Sequence, residues 1–173
     1  MSEAMVVPDL TEPIVGWRGW RVHPSWVEPS PFGPTPSVSF DDPNGPYLGA
    51  MNDLICWPKR QALEAECHRT FCGMLVFGPE GCVEHPNSIC TCGIYAYNDP
   101  KLLRHDFRGV VGQVALWGKV IRHKRGYRTQ YAYPKTLRRG GCCDISDDVL
   151  RQLLDGYGCE QNERLPGQQR FDI

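Results

Sequence analysis

Five of the chain's nine cysteines, Cys67, Cys72, Cys82, Cys90 and Cys92, fall between positions 67 and 92. That crowding restricts the fold more than any other feature. Met1–Leu10 shows no basic start followed by an apolar stretch, so no secretory leader is expected. In the reducing, cytoplasmic setting this implies, nine thiols do not make a disulfide framework. Thiolates interleaved with His68 and His85 and with turn-forming Gly and Pro are instead what a tetrahedral zinc site needs: borderline-soft donors on loops that can converge.

Within the cluster, Cys90-Thr-Cys92-Gly93 has the form of a ligand corner, with Gly93 letting the chain turn tightly beneath a metal. Pro86 stiffens the loop that presents His85, and Cys67 is placed as a fourth donor. The expected set is therefore Cys67, His85, Cys90 and Cys92 around one Zn²⁺. Four protein ligands leave no position for water, so the site would be structural. Rival sets replace Cys67 or His85 with Cys72 or Cys82, and the bland alternative is buried thiols packing as small hydrophobes. The spacings match neither common ferredoxin pattern. Cys142 and Cys143 stay unassigned.

A longer string carries a resemblance. His85-Pro86, Cys90-Thr-Cys92-Gly93-Ile94-Tyr95-Ala96, Leu116-Trp117-Gly118 and Gly126-Tyr127-Arg128 resemble a family of uncharacterised proteins from actinobacteria and their phages. The likeness spans about residues 48 to 137 plus the first Trp-rich segment. It implies the same four donors and brings no activity with it. The Pro-rich loop, Cys72 and Cys82 depart from the pattern.

The length of 173 residues, with 41% apolar, suits one domain. We expect a flexible N-terminus at 1–13, a single zinc-containing domain at 14–158 and a polar tail at 159–173. Six of fifteen prolines lie between Pro29 and Pro46, which predicts a surface loop at 28–46. Residues 14–22 suit a strand with Trp20 and Val22 on one face and Trp17 on the other. A second strand is expected within 47–56, and shorter ones at 74–77 and 94–97. Good helix formers after Trp57-Pro58 predict a short helix over 59–66, and Asn98-Asp99-Pro100 predicts another over 101–105. Ser146 followed by Asp147 and Asp148 predicts a third, stopped by Gly156 or Gly158.

The clearest local signal is a β-hairpin. Residues 110–121 alternate and are rich in β-branched types, His123–Gly126 supplies the turn with a glycine for positive φ, and residues 127–134 return. Tyr127, Thr129, Tyr131 and Tyr133 should share one face and Arg128 and Gln130 the other. Together these elements predict an α+β, strand-rich single domain with a basic β-hairpin, two or three short helices and a zinc-braced loop segment.

Charge singles out the same hairpin. The net charge of −1 excludes a wholly basic coat protein, yet residues 119–139 hold eight Lys and Arg and no acid. Cations neutralise phosphates and tyrosines stack on bases, so Arg122, Lys124, Arg125, Tyr127 and Arg128 are the expected contacts to DNA or RNA. Edge protection of the strand, or pairing with the acidic C-terminal helix, would explain the same charges without a ligand. Two other readings remain: a module binding a host or partner protein, and a zinc enzyme with an open metal position. No Gly-x-Ser-x-Gly, phosphate loop, dinucleotide fingerprint or His-Glu-x-x-His occurs. No apolar run is long enough to span a membrane.

Overall fold

The structure is a computed structural model that describes residues 6–7, 12–24, 44–50, 56–65, 70–71, 74–75, 86–87, 91–103, 109–141 and 145–162. In chain order the elements are β1 (Val6–Val7), β2 (Ile14–His23), β3 (Tyr47–Gly49), β4 (Leu63–Glu64), β5 (Thr70–Phe71), β6 (Met74–Leu75), β7 (Ile94–Tyr97), β8 (Val110–His123), β9 (Gly126–Pro134), β10 (Thr136–Arg139), α1 (Asp147–Tyr157) and β11 (Glu160–Gln161). The expected Pro-rich loop lies outside the described residues apart from its end at 44–46.

The expected α+β class is corrected by the pairing of these strands. β8 pairs with β2, β2 with β7, β7 with β9, and β9 returns to β8, all antiparallel, so four strands close into a barrel. β1, β3, β4, β10 and β11 attach outside the ring, and among the described residues β5 pairs with β6 in a separate two-stranded sheet. Among the described residues α1 is the one α-helix. Closure is possible because β8 is long: Val110–Leu116 pair with β2, while Val114–His123 pair with β9. A register shift between Trp117 and Val120 bends it, with Gly118 at φ 71. An extra residue with glycine in the left-handed region is the form of β-bulge that turns barrel corners.

The same bulge breaks the expected single face of the return strand. Val120 opposes Thr129, but Trp117 opposes Tyr131, so Ala132 enters the core and the Tyr131 ring stacks on Trp117 at 6.1 Å. Inside the ring lie Trp20, Ile94, Ala96, Val110, Val114, Leu116 and Ala132. Trp57 packs edge-on to Trp20 at 5.6 Å, and Leu150, Leu153 and Tyr157 of α1 join this core. Trp17 faces outward, as alternation predicts, and is buried with Leu103 and Val111.

Two predicted helices are not formed among the described residues. Over 59–66 the backbone of Arg60 is left-handed at φ 56 and Leu63–Glu64 extend to pair with β9. The Tyr133 hydroxyl accepts from the Arg60 amide at 3.0 Å, and the Gln130 carbonyl accepts from Ala65 N at 2.7 Å. A strand edge with unmet hydrogen-bonding groups overrides local helix propensity here. After Asp99, whose carboxylate accepts from Lys101 N at 2.9 Å, a single 3₁₀ turn (Pro100–Leu102) forms and Leu103 becomes extended. That places Leu103 against Trp17.

α1 follows its signals. Ser146 Oγ accepts from Val149 N at 3.3 Å, and Gly158 ends the helix at φ 62. Near the termini, Val6–Val7 pair with Ile121 and Val120 of β8, and Glu160–Gln161 run parallel to Thr136 and Leu137 of β10. No helix among the described residues is long and apolar enough to cross a membrane.

Candidate nucleic-acid interface

The β8–β9 hairpin turns at Lys124 and Arg125. Gly126 is not needed there for a positive φ. A Cβ on it would lie 2.0 Å from the Ala96 carbonyl oxygen, so glycine is required by the close approach of β7. The turn is also tied down. Asn98 donates its amide to the Arg125 carbonyl and its side-chain Nδ2 to the Lys124 carbonyl, each at 3.2 Å.

This geometry sorts the five predicted contacts. Arg122, Lys124 and Arg125 are exposed at the tip, and among the described residues no ion pair engages them. The Arg122 guanidinium lies 5.8 Å from the Tyr127 ring centroid, while Tyr127 itself is half-buried against the barrel core. Arg128 behaves differently. It points outward as alternation predicts, yet only 5% of it is exposed, because Pro86, Asn87 and Gly93 lie over it. Its Nη2 donates to the Asn87 carbonyl at 2.9 Å, which makes it a strut holding the loop onto β9. Beyond the hairpin tip, Arg139 is paired with Asp147 at the start of α1, so part of the basic run is spent within the molecule.

Two residues that the charge pattern did not single out complete the face. Tyr95 and Tyr97 of β7 are 49% and 39% exposed, and with Val15 at 39% they are the exposed large hydrophobic residues among those described. β7 reads Ile-Tyr-Ala-Tyr, buried and exposed in strict alternation. That alternation, in a strand the sequence does predict, was the available signal. Tyr97 opposes Gly126 of the hairpin on one side and Trp17 on the other. Tyr95 opposes Arg128, whose guanidinium lies 6.0 Å from its ring centroid, and its hydroxyl donates to the Thr91 carbonyl at 2.6 Å.

Of the predicted metal ligands, Cys67, His85 and Cys90 lie outside the described residues, as do Cys72, Cys82, Cys142 and Cys143. Cys92 is described and buried. Gly93 after it adopts φ 123, and a Cβ there would meet Arg128 Cγ at 2.5 Å and Pro86 Cβ at 2.9 Å. Gly93 thus follows Cys92 in a close approach to β9, packed against Arg128 and Pro86. Cys159 lies apart from this segment. Burial pushes its thiol up to about 12 and the Sγ–H donates to the Pro134 carbonyl at 3.2 Å, which leaves it a poor nucleophile at neutral pH.

Comparison of the chain with protein-family models, curated proteins and solved structures gives no match.

Proposed function

We propose that this protein is a non-enzymatic nucleic-acid-binding barrel, contacting phosphates through the hairpin tip and braced by a structural zinc. The observation that carries the reading is the placing of Lys124 and Arg125, exposed and without carboxylate partners among the described residues, next to the Tyr97 end of β7, with the exposed Tyr95 further along the same face and the exposed Arg122 on the other face of the hairpin over Tyr127. Cations bonded into the fold would serve stability. Cations left in solvent next to aromatic rings suit a polyanion that carries bases.

The test is the salt dependence of oligonucleotide binding in the wild type and in an Arg122→Ala/Lys124→Ala/Arg125→Ala variant. Affinity of the wild type should fall steeply with salt. The slope of log affinity against log salt should flatten by about two to three in the variant, at roughly 0.7 to 0.9 for each phosphate no longer neutralised. An unchanged slope overturns the reading. Salt-insensitive capture of a protein partner, without nucleic-acid binding, would favour the interaction-module alternative.

The zinc proposal concerns Cys67, His85, Cys90 and Cys92. The buried Cys92 and the positive φ of Gly93 after it support it, since a turn tight enough to close beneath a metal is most easily made at glycine. Held there, the ion would stiffen the segment that covers Arg128 and carries the Thr91 carbonyl to which Tyr95 bonds. Elemental analysis of purified protein should return about one zinc per chain, lost in Cys90→Ser and Cys92→Ser. Metal-free wild-type protein with an unchanged melting temperature would refute it.

A further inference from the structure

We infer that the ligand of this face is single-stranded nucleic acid, with successive bases laid on Tyr95 and Tyr97 and the backbone led toward the hairpin tip. The inference rests on the nucleic-acid reading above and adds the strandedness that the reading leaves open.

Three features carry it. First, Tyr95 and Tyr97 are alternate residues of one strand, so both rings rise from the same side, with Cα atoms about 6.7 Å apart at the usual rise. Their exposure of 49% and 39% leaves ring surface for a planar partner. In a duplex the base faces are consumed by stacking on each other. Only an unpaired strand can offer neighbouring bases, splayed apart, to two rings on a sheet.

Second, the hairpin is not shaped for a duplex groove. A two-stranded ribbon reads the major groove by entering it. Here both residues of the turn are bonded through their carbonyls to Asn98, immediately after β7. The tip is thereby held at the level of the Tyr97 end of β7, so Lys124 and Arg125 flank the tyrosines instead of leading away from them. Gly126, opposite Tyr97, puts no side chain between the ring and the tip.

Third, the platform is held in place before any ligand arrives. The Tyr95 hydroxyl is fixed on the Thr91 carbonyl, and its ring neighbours the Arg128 guanidinium, itself bonded to Asn87. Tyr97 stands next to Trp17, which is buried under Leu103. Rings already ordered lose little rotamer freedom on stacking, which favours their use as binding surface.

The experiment is fluorescence anisotropy with labelled twelve-nucleotide oligo-dT and oligo-U, and with a duplex of equal length, across a salt series. The single strands should bind at least tenfold more tightly than the duplex, and the dT and U arms report the preferred sugar. Tyr95→Ala and Tyr97→Ala should each weaken single-strand binding about tenfold without changing the salt slope, because stacking releases no counterions. Tyr97→Phe should bind like the wild type, since it keeps the ring. Both alanine changes are at exposed positions, and circular dichroism checks that the barrel persists.

Duplex binding equal to or tighter than single-strand binding, with the tip cations still required, overturns this inference and leaves the proposed function standing. Alanine variants that bind single strands like the wild type also overturn it. Absence of binding to every oligonucleotide removes both.

Discussion

Tyr157→Phe is expected to lower the stability of the fold by about 3 kcal/mol, seen as a fall in melting temperature of about 6–12 °C. The lost oxygen sits between two backbone groups that have no solvent to fall back on. The Tyr157 hydroxyl accepts from Leu48 N at 3.0 Å and donates to the Trp57 carbonyl at 2.6 Å, and all three residues are buried. It thus stitches α1 to β3 and to the segment carrying Trp57, which packs on Trp20 inside the barrel. Burial holds the phenol far above its ordinary pKa, so it stays a donor throughout the pH range in which the protein is handled. Removing it strands an amide and a carbonyl in a dry site, at about 1–3 kcal/mol for each buried group. Tyr133→Phe is the matched control. Its hydroxyl also bridges two backbone groups, Arg60 N and the Tyr157 carbonyl, at 3.0 and 2.6 Å, but at a half-exposed position where water can substitute. That variant should cost about 1 kcal/mol. Equal losses in urea titrations of the two variants would show that the buried stitch carries no special weight.

The elements with strong local signals were legible in the sequence, and the closure of the fold was not. β7, β8, β9 and α1 announce themselves through alternation, a turn, a serine cap and a terminal glycine, all read within a dozen residues. The barrel depends on Ile14 meeting Leu116 and Trp17 meeting both Gln113 and Tyr97, pairings between segments some eighty to a hundred positions apart. No pattern inside either segment encodes them. The helix predicted over 59–66 failed for the same reason: its residues favour helix, but β9 offered Gln130 and Tyr133 as partners for an extended chain. At the candidate interface, the basic run singled out Arg122, Lys124 and Arg125, which the fold leaves exposed. Period-two alternation gave the direction of Arg128 but not the presence of Asn87 above it. Tyr95 and Tyr97 were read as part of a strand, and their exposure follows from a pattern that composition-led reasoning passed over. A pattern states which way a side chain points; what lies over it is a property of the assembled fold.

Gly126→Ala should destabilise the protein by about 3 kcal/mol and disrupt the proposed binding face, whereas Gly112→Ala should destabilise it comparably and leave the proposed face intact. At both positions a new methyl group meets backbone, which cannot rotate away. It would lie 2.0 Å from the Ala96 carbonyl oxygen in the first case and 1.8 Å from the Thr136 carbonyl oxygen in the second. The consequences diverge because of where each clash lies. Ala96 belongs to β7, so relief of the first clash parts β7 from β9, opens the ring at the Tyr97–Gly126 pair and frees the turn from Asn98. Thr136 belongs to β10, outside the ring, so relief of the second clash lifts an outer strand from β8 while β8, β2, β7 and β9 stay closed. Thermal melts of both variants, followed by oligonucleotide binding at a temperature where each is folded, separate damage to the barrel from damage to its rim. A folded Gly126→Ala protein that binds like the wild type would show that ring closure beside Tyr97 does not set the geometry of the face. Loss of binding in Gly112→Ala as well would place the required surface on the β8–β10 side, away from the tyrosines.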